Sequence, residues 1–174
     1  MRPLNETDLK DLWEMAYKES SSEWKKWDAP YYEHEALTYD AFLKEKKSSL
    51  IHQDNRWGLI VNGKLIGTVS YYWEHHPSNW LEAGIVIYNP NYWNGGYGTL
   101  FFKAWIDRLF KTLPLVRVGF TTWSGNQRMI LLGEKLGMKL EGRLRKCRLY
   151  NGTYYDSIRM GVLREEWDQL EFQK

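Results

Sequence analysis

The chain has 174 residues, 43% of them hydrophobic and 26% charged, with a formal net charge of +2. That is the size and composition of one globular domain with apolar material for a real core, and the charge is too small to argue for a nucleic-acid partner. A lone cysteine, Cys147, cannot form an internal disulfide, the start Met1-Arg2-Pro3-Leu4-Asn5-Glu6 is too polar for a signal peptide, and no apolar run is bilayer-length. The expectation is a cytoplasmic protein without a membrane partner. Ten Trp and 12 Tyr supply large rings that suit cores and ligand grooves alike.

In chain order, Leu9, Leu12, Trp13 and Ala16 fall on one helical face, which predicts a helix from about Asn5 to Ser20 with Asn5 or Thr7 as its N-cap. Glu23 to Tyr32 is aromatic, contains Pro30 and reads as a short turn or loop. Thr38 can cap a helix running to about Leu50. Arg56–Val61 and Lys64–Tyr72 are β-type runs joined by Asn62-Gly63, a two-residue hairpin signal because a type I′ turn needs positive φ twice. A third strand, Trp80–Tyr88, completes an antiparallel meander. A helix is expected from about Gly96 to Lys111, stopped by Pro114, then a strand over Leu115–Thr122. Asn126 begins another helix that ends at Gly137, and Leu140–Tyr150 and Thr153–Leu163 form a last hairpin around Asn151-Gly152.

The helix after the third strand implies a crossover to a parallel fourth strand. The fold expected is therefore mixed α/β: a mostly antiparallel sheet splayed at one parallel junction, with helices on both faces. A ligand can enter such a splay.

The segment Asn89-Pro90-Asn91-Tyr92-Trp93-Asn94-Gly95-Gly96-Tyr97-Gly98-Thr99 lies between a strand and a helix. Glycines there let the backbone come close and aim N–H groups outward, and a helix N-terminus adds free donors, so a pyrophosphate is a natural guest. A Walker loop is excluded because Thr99-Leu100 follows Gly98. A dinucleotide fingerprint is excluded because Phe101 stands where its third glycine is needed.

The run Tyr92 to Thr99 resembles the acetyl-CoA loop of the GNAT acetyltransferase superfamily, and within it the Rim-like branch of ribosomal-protein N-terminal acetyltransferases. The superfamily pattern is Arg or Gln, two residues, Gly, one residue, Gly or Ala. Gly96 and Gly98 match it, and Trp93 replaces Arg or Gln, as is common in the Rim-like branch. Leu81-Glu82-Ala83-Gly84-Ile85-Val86-Ile87 is similar to the preceding strand. Asn126 and the run Glu134 to Gly142 are similar to the Asn-led helix and the turn after it. The resemblance runs over about residues 56–165, and the family's first strand is almost missing at Met1–Leu4.

The resemblance implies a single GNAT-like N-acetyltransferase domain over residues 1–174 that uses acetyl-CoA as donor cosubstrate, without a metal. The pantetheine arm would pair with the strand near Val86 and Tyr88, and the pyrophosphate would sit on Trp93, Asn94, Gly95, Gly96, Tyr97, Gly98 and Thr99. Asn126 would bond the pantetheine. A protonated amine must lose its proton before attack, and Glu82 is the candidate base, with a salt-bridged strand carboxylate as its alternative. Relatives often place a Ser, the proton donor to the thiolate, where this chain has Met129, which cannot donate. Tyr97 and Ser124 are substitutes. The four histidines show no metal spacing. Arg143, Arg145, Lys146 and Arg148 read as a solvated strand face, or as a site for an acidic group.

Three functions fit these features. One is an N-acetyltransferase acting on a protein N-terminus, a polyamine or an aminoglycoside-like small molecule, with a homodimer implied by family analogy alone. Another is a CoA-binding sensor without catalysis. The third is an aromatic, basic binder of single-stranded RNA, against which the low net charge and the loop both count.

Overall fold

A computed structural model describes residues 1–171. The elements are β1 (Arg2–Pro3), α1 (Leu9–Ala16), α2 (Tyr39–Leu50), β2 (Arg56–Val61), β3 (Lys64–His75), β4 (Trp80–Ile87), α3 (Tyr97–Thr112), β5 (Arg117–Trp123), α4 (Gln127–Lys135), β6 (Lys139–Tyr150), β7 (Thr153–Leu163) and α5 (Arg164–Glu171). They build one seven-stranded sheet in the order β1-β2-β3-β4-β5-β7-β6.

Local chemistry accounts for most boundaries. Both Asn-Gly pairs have positive φ at both residues, +49° and +75° at Asn62-Gly63 and +48° and +74° at Asn151-Gly152, as a type I′ hairpin requires. Thr38 Oγ1 accepts the Ala41 N–H at the start of α2, and Asn126 Oδ1 accepts the Met129 N–H at the start of α4. Gly137 ends α4 with φ +73°.

The first predicted helix is shorter than expected. Asn5 caps a separate turn, Glu6–Asp8, and Asp8 folds back to accept the Asn5 N–H at 2.9 Å and to pair with Arg2. Regular helix therefore starts only at Leu9, and it stops at Ala16, where the Tyr17 and Lys18 N–H groups both turn onto the Trp13 carbonyl. Helix α5 was not foreseen. It is amphipathic about Trp167, which is 3% exposed and packs on Phe110. β6 is also less regular than a plain hairpin arm, with shifts at Leu140/Gly142 and Leu144/Arg148 and a positive φ at Lys146.

Two cores sandwich the sheet. On one face, Phe102, Trp105, Ile106 and Leu109 of α3 bury against Val69, Leu81, Val118, Phe120 and Met160. On the other, Leu9, Leu12 and Ala16 of α1 meet Phe42 and Leu50 of α2, Leu65 and Tyr88. Along β4, Leu81, Ala83, Ile85 and Ile87 join the α3 side, while Val86 and Tyr88 join the α1–α2 side. Strand alternation places Glu82 on the α1–α2 side too.

The junction that positions the site is β4 against β5. They pair in parallel only over Trp80–Glu82 and Arg117–Gly119. Beyond that β5 stays with β7 out to Trp123, and β4 stays with β3 out to Ile87. The facing edge of β4 from Ala83 onward thus has no strand partner.

Candidate active site

The splay opens into a cavity of about 310 Å³. One wall is Ile85–Ile87 of β4. The floor is the following loop and first turn of α3: Tyr92, Trp93, Asn94, Gly96, Gly98 and Thr99. The opposite wall is α4, through Asn126, Arg128, Met129, Leu131, Leu132 and Lys135. Trp24, Trp27 and Asp28 close it from the N-terminal segment.

The α3 end of the cavity suits an anion. Gly96 is the N-cap of this 16-residue helix, in left-handed conformation with φ +81°, and no side chain caps the first-turn N–H groups. A side chain at that φ would be strained, so glycine there leaves the donors bare. Arg128 and Lys135 reach the same cavity from α4, and neither has a carboxylate partner among the described residues. The Arg128 guanidinium lies between two indoles, 4.4 Å from the ring centre of Trp27 and 4.5 Å from that of Trp93. Trp93 Nε1 donates to the Ile87 carbonyl at 2.8 Å, pinning the loop to the end of β4. Bare helix donors, two unpaired cations and an open strand edge together fit a pyrophosphate joined to an amide-bearing arm.

Asn126 faces the cavity. Its Oδ1 is used by the Met129 N–H at 3.1 Å, and its side-chain Nδ2 makes no hydrogen bond among the described residues, so both side-chain N–H donors remain for a ligand. Met129 lines the cavity at the next turn. Tyr88, Gly95 and Tyr97 do not line it. The Tyr88 hydroxyl shares a 3.0 Å hydrogen bond with Thr68 Oγ1, and burial pushes its pKa up to about 12. Tyr97 packs between Tyr92 and Phe101. Ser124 Oγ accepts the Asp156 N–H at 2.9 Å.

Glu82 sits at the last paired position of the junction and is 1% exposed. Its Oε1 accepts from Trp80 Nε1 at 3.2 Å and from Arg117 Nη1 at 3.3 Å, and its Oε2 accepts from the Thr121 hydroxyl at 3.3 Å. Arg117 also bonds Glu141, so it bridges two carboxylates. The cross-strand pair Gly119 and Gly161 forms the floor for this cluster: a Cβ at Gly119 would stand 2.9 Å from Glu82 Oε1. Of the basic run on β6, Arg143 pairs with Asp156 at 2.6 Å, and Arg148 lies over Tyr31.

Sequence reasoning missed the N-terminal wall, Trp24, Trp27 and Asp28, and the α4 cations. The cations had a signal: Arg128, Leu131, Leu132 and Lys135 recur at helical spacing on one face. The N-terminal wall had none, because nothing local says where an aromatic loop will dock.

The chain belongs to the acetyltransferase (GNAT) domain family, whose pattern matches residues 1–139. Over 104 residues it is 32% identical to the uncharacterized N-acetyltransferase YnaD of Bacillus subtilis (strain 168), which covers 60% of this chain and only 60% of YnaD. It is 27% identical over 170 residues to the spermidine N(1)-acetyltransferase of Escherichia coli (strain K12), covering 96% of this chain and 87% of that one. The crystal structure of spermidine N-acetyltransferase from Vibrio cholerae, in complex with CoA and spermine, has the same fold, with a TM-score of 0.76 over 95% of each chain at 22% identity. No helix among the described residues is long and apolar enough to cross a membrane.

Proposed function

We propose that this protein transfers the acetyl group of acetyl-CoA to a primary amine by direct attack on the thioester. The observation that carries the reading is the free β4 edge at the splay, which leads straight into the uncapped N-terminus of α3. The diphosphate binds the first-turn N–H groups of α3 with Arg128 and Lys135 as counter-charges. The amide nitrogen of Asn126 donates to the pantetheine arm, which lies along Ala83–Ile87. A β4 N–H near Val86 polarises the thioester carbonyl.

Glu82 accepts the proton of the attacking amine. Because its carboxylate is buried, the proton travels through the Thr121 hydroxyl, which is exposed on the same face and bonded to Oε2. Arg117 holds the carboxylate in place. Met129 supplies no acid, and solvent protonates the departing thiolate, whose parent thiol has a pKa near ~8.5. Within the family, Trp93 and the Asn126-led helix support the Rim-like branch. Acceptors to test are a protein N-terminus, a polyamine such as spermidine, and an aminoglycoside.

Met129 also supports a second reading, a CoA-binding sensor that does not turn over. Calorimetry with acetyl-CoA, followed by transfer assays on an amine panel, separates the two. Gly98→Asp adds a negative charge at the phosphate site, and its Cβ meets only the end of Leu132, at 3.2 Å, so the variant folds. Acetyl-CoA affinity is expected to fall by at least about tenfold, equal to ~1.4 kcal/mol. Unchanged affinity in the folded variant would refute the loop assignment, and tight binding without transfer to any amine would favour the sensor.

A further inference from the structure

Asp28 is a carboxylate that the fold places in the cleft and leaves without a partner. It lines the cavity together with Val86, Asn126 and Met129. It forms no ion pair and its side chain makes no hydrogen bond among the described residues. Its surroundings are rings. Trp24 and Trp27 flank it in sequence and line the same cavity. Tyr31 and the buried Tyr88 lie within electrostatic range of it. Its carboxyl is accessible through the cleft but is otherwise enclosed by protein, and that enclosure raises its pKa, with Lys25 and His34 pulling the other way. Two further buried atoms of this cluster, Trp24 Nε1 and His34 Nε2, also have no hydrogen-bond partner, and His34 packs edge-on against Trp24 at 5.2 Å.

Asp28 is exposed in the cleft and no side chain among the described residues pairs with it, so its carboxylate is free to take a cation from outside. The neighbouring cations lie over rings instead, Lys25 over Trp24 at 5.9 Å and Arg128 over Trp27 at 4.4 Å. The segment holding Asp28 is itself fixed, because Trp123 Nε1 donates to the Trp27 carbonyl at 2.8 Å and so ties it to the end of β5.

We propose that Asp28, beside Trp24 and Trp27 in the cleft wall, is the acceptor site of the cleft, and that it takes an alkylammonium and holds it beside the β4 edge at Val86. This rests on the transfer reading above, and it adds the residue that selects the acceptor: a cationic amine is preferred to a neutral one of equal size.

The test measures binding and turnover separately. Phenethylamine is cationic at neutral pH; O-benzylhydroxylamine has nearly the same size and is neutral there. Calorimetry on the protein saturated with CoA reads the affinity of each for wild type and for Asp28→Asn. The expected result is a loss of about 10- to 100-fold for phenethylamine, the scale of a hydrogen bond to a charged group. For O-benzylhydroxylamine the change is expected to stay within about threefold, since no full charge is lost. Acetyl-CoA affinity is the folding control and stays unchanged. Equal losses for the two amines, or no loss for either, would overturn the site. Phenethylamine that binds through Asp28 but is never acetylated would instead sink the transfer reading and leave the ammonium site standing. Acetylation of phenethylamine with the same KM in both proteins would do the opposite.

Discussion

At the scale of single residues, the proton path and the cofactor arm can be separated by mutation. Glu82→Gln removes the proposed proton acceptor, and Thr121→Val removes the hydroxyl proposed to relay the proton to it. Each is expected to lower kcat by about 10²-fold with little change in acetyl-CoA affinity, the usual scale for a positioned base. Because the two act in series, the double variant is expected to be no worse than the worse single one. Full additivity in steady-state kinetics would mean that Thr121 is not on the path. On α4 the expected order is set by polarity. Met129→Ala removes packing only and costs less than about tenfold in kcat, below a general acid's contribution. Asn126→Ala removes both the cap on Met129 and a ligand donor and costs more. A dead Met129→Ala enzyme beside a healthy Asn126→Ala enzyme would contradict this placement of α4.

At the scale of elements, the N-terminal turn shows how a short segment is held. Burial opposes the charge on Asp8, but the Arg2 guanidinium at 2.6 and 2.9 Å and the Asn5 N–H outweigh it, so its pKa is lowered. A lowered carboxylate pKa contributes stability that is present above the unfolded value of ~3.9 and is lost as pH falls through the folded value. Asp8→Asn is therefore expected to destabilise by about 1–2 kcal/mol at neutral pH, the range of a charged hydrogen bond beside a half-exposed arginine. The gap from wild type should close in acid, below the folded pKa. Thermal melts at neutral and acid pH check this, and a gap independent of pH would point to lost packing instead.

At the scale of the whole molecule, two long-range ties hold the binding side and the far side. Arg128 between Trp27 and Trp93 joins α4 to the N-terminal segment and to the phosphate loop, so three separate stretches of chain meet at the cleft. On the far side α5 clasps α3: Trp167 Nε1 donates to Asp107 at 2.7 Å, and the Arg164 guanidinium bonds the Phe110, Leu113 and Leu115 carbonyls just where α3 ends. Trp167→Ala is expected to destabilise by about 3–5 kcal/mol, as for other large-to-small core changes. Since α5 does not line the cleft, acetyl-CoA affinity of the folded variant should not move. A stable variant in urea titration would show that α5 is dispensable, and weakened binding would show that it reaches the site.

Features set within a few residues could be read from the sequence. The Asn-Gly hairpins follow from the φ that only such residues adopt cheaply, the starts of α2 and α4 follow from Thr38 and Asn126 as caps, and the bare N-terminus of α3 follows from Gly96. The helix between two strands also required a parallel crossover, and hence the splay. Tertiary structure alone decided what meets across that splay. Trp27 is tied to Trp123, 96 residues away, and Asp28 thereby lines the same cleft as Val86. Arg117 lies on Gly119 and Gly161 and fastens Glu82 within the sheet. Such pairings depend on how two cores pack against opposite faces of one sheet. Helical or strand periodicity records which face of its own element a residue occupies, and it carries no information about which distant segment will cover that face.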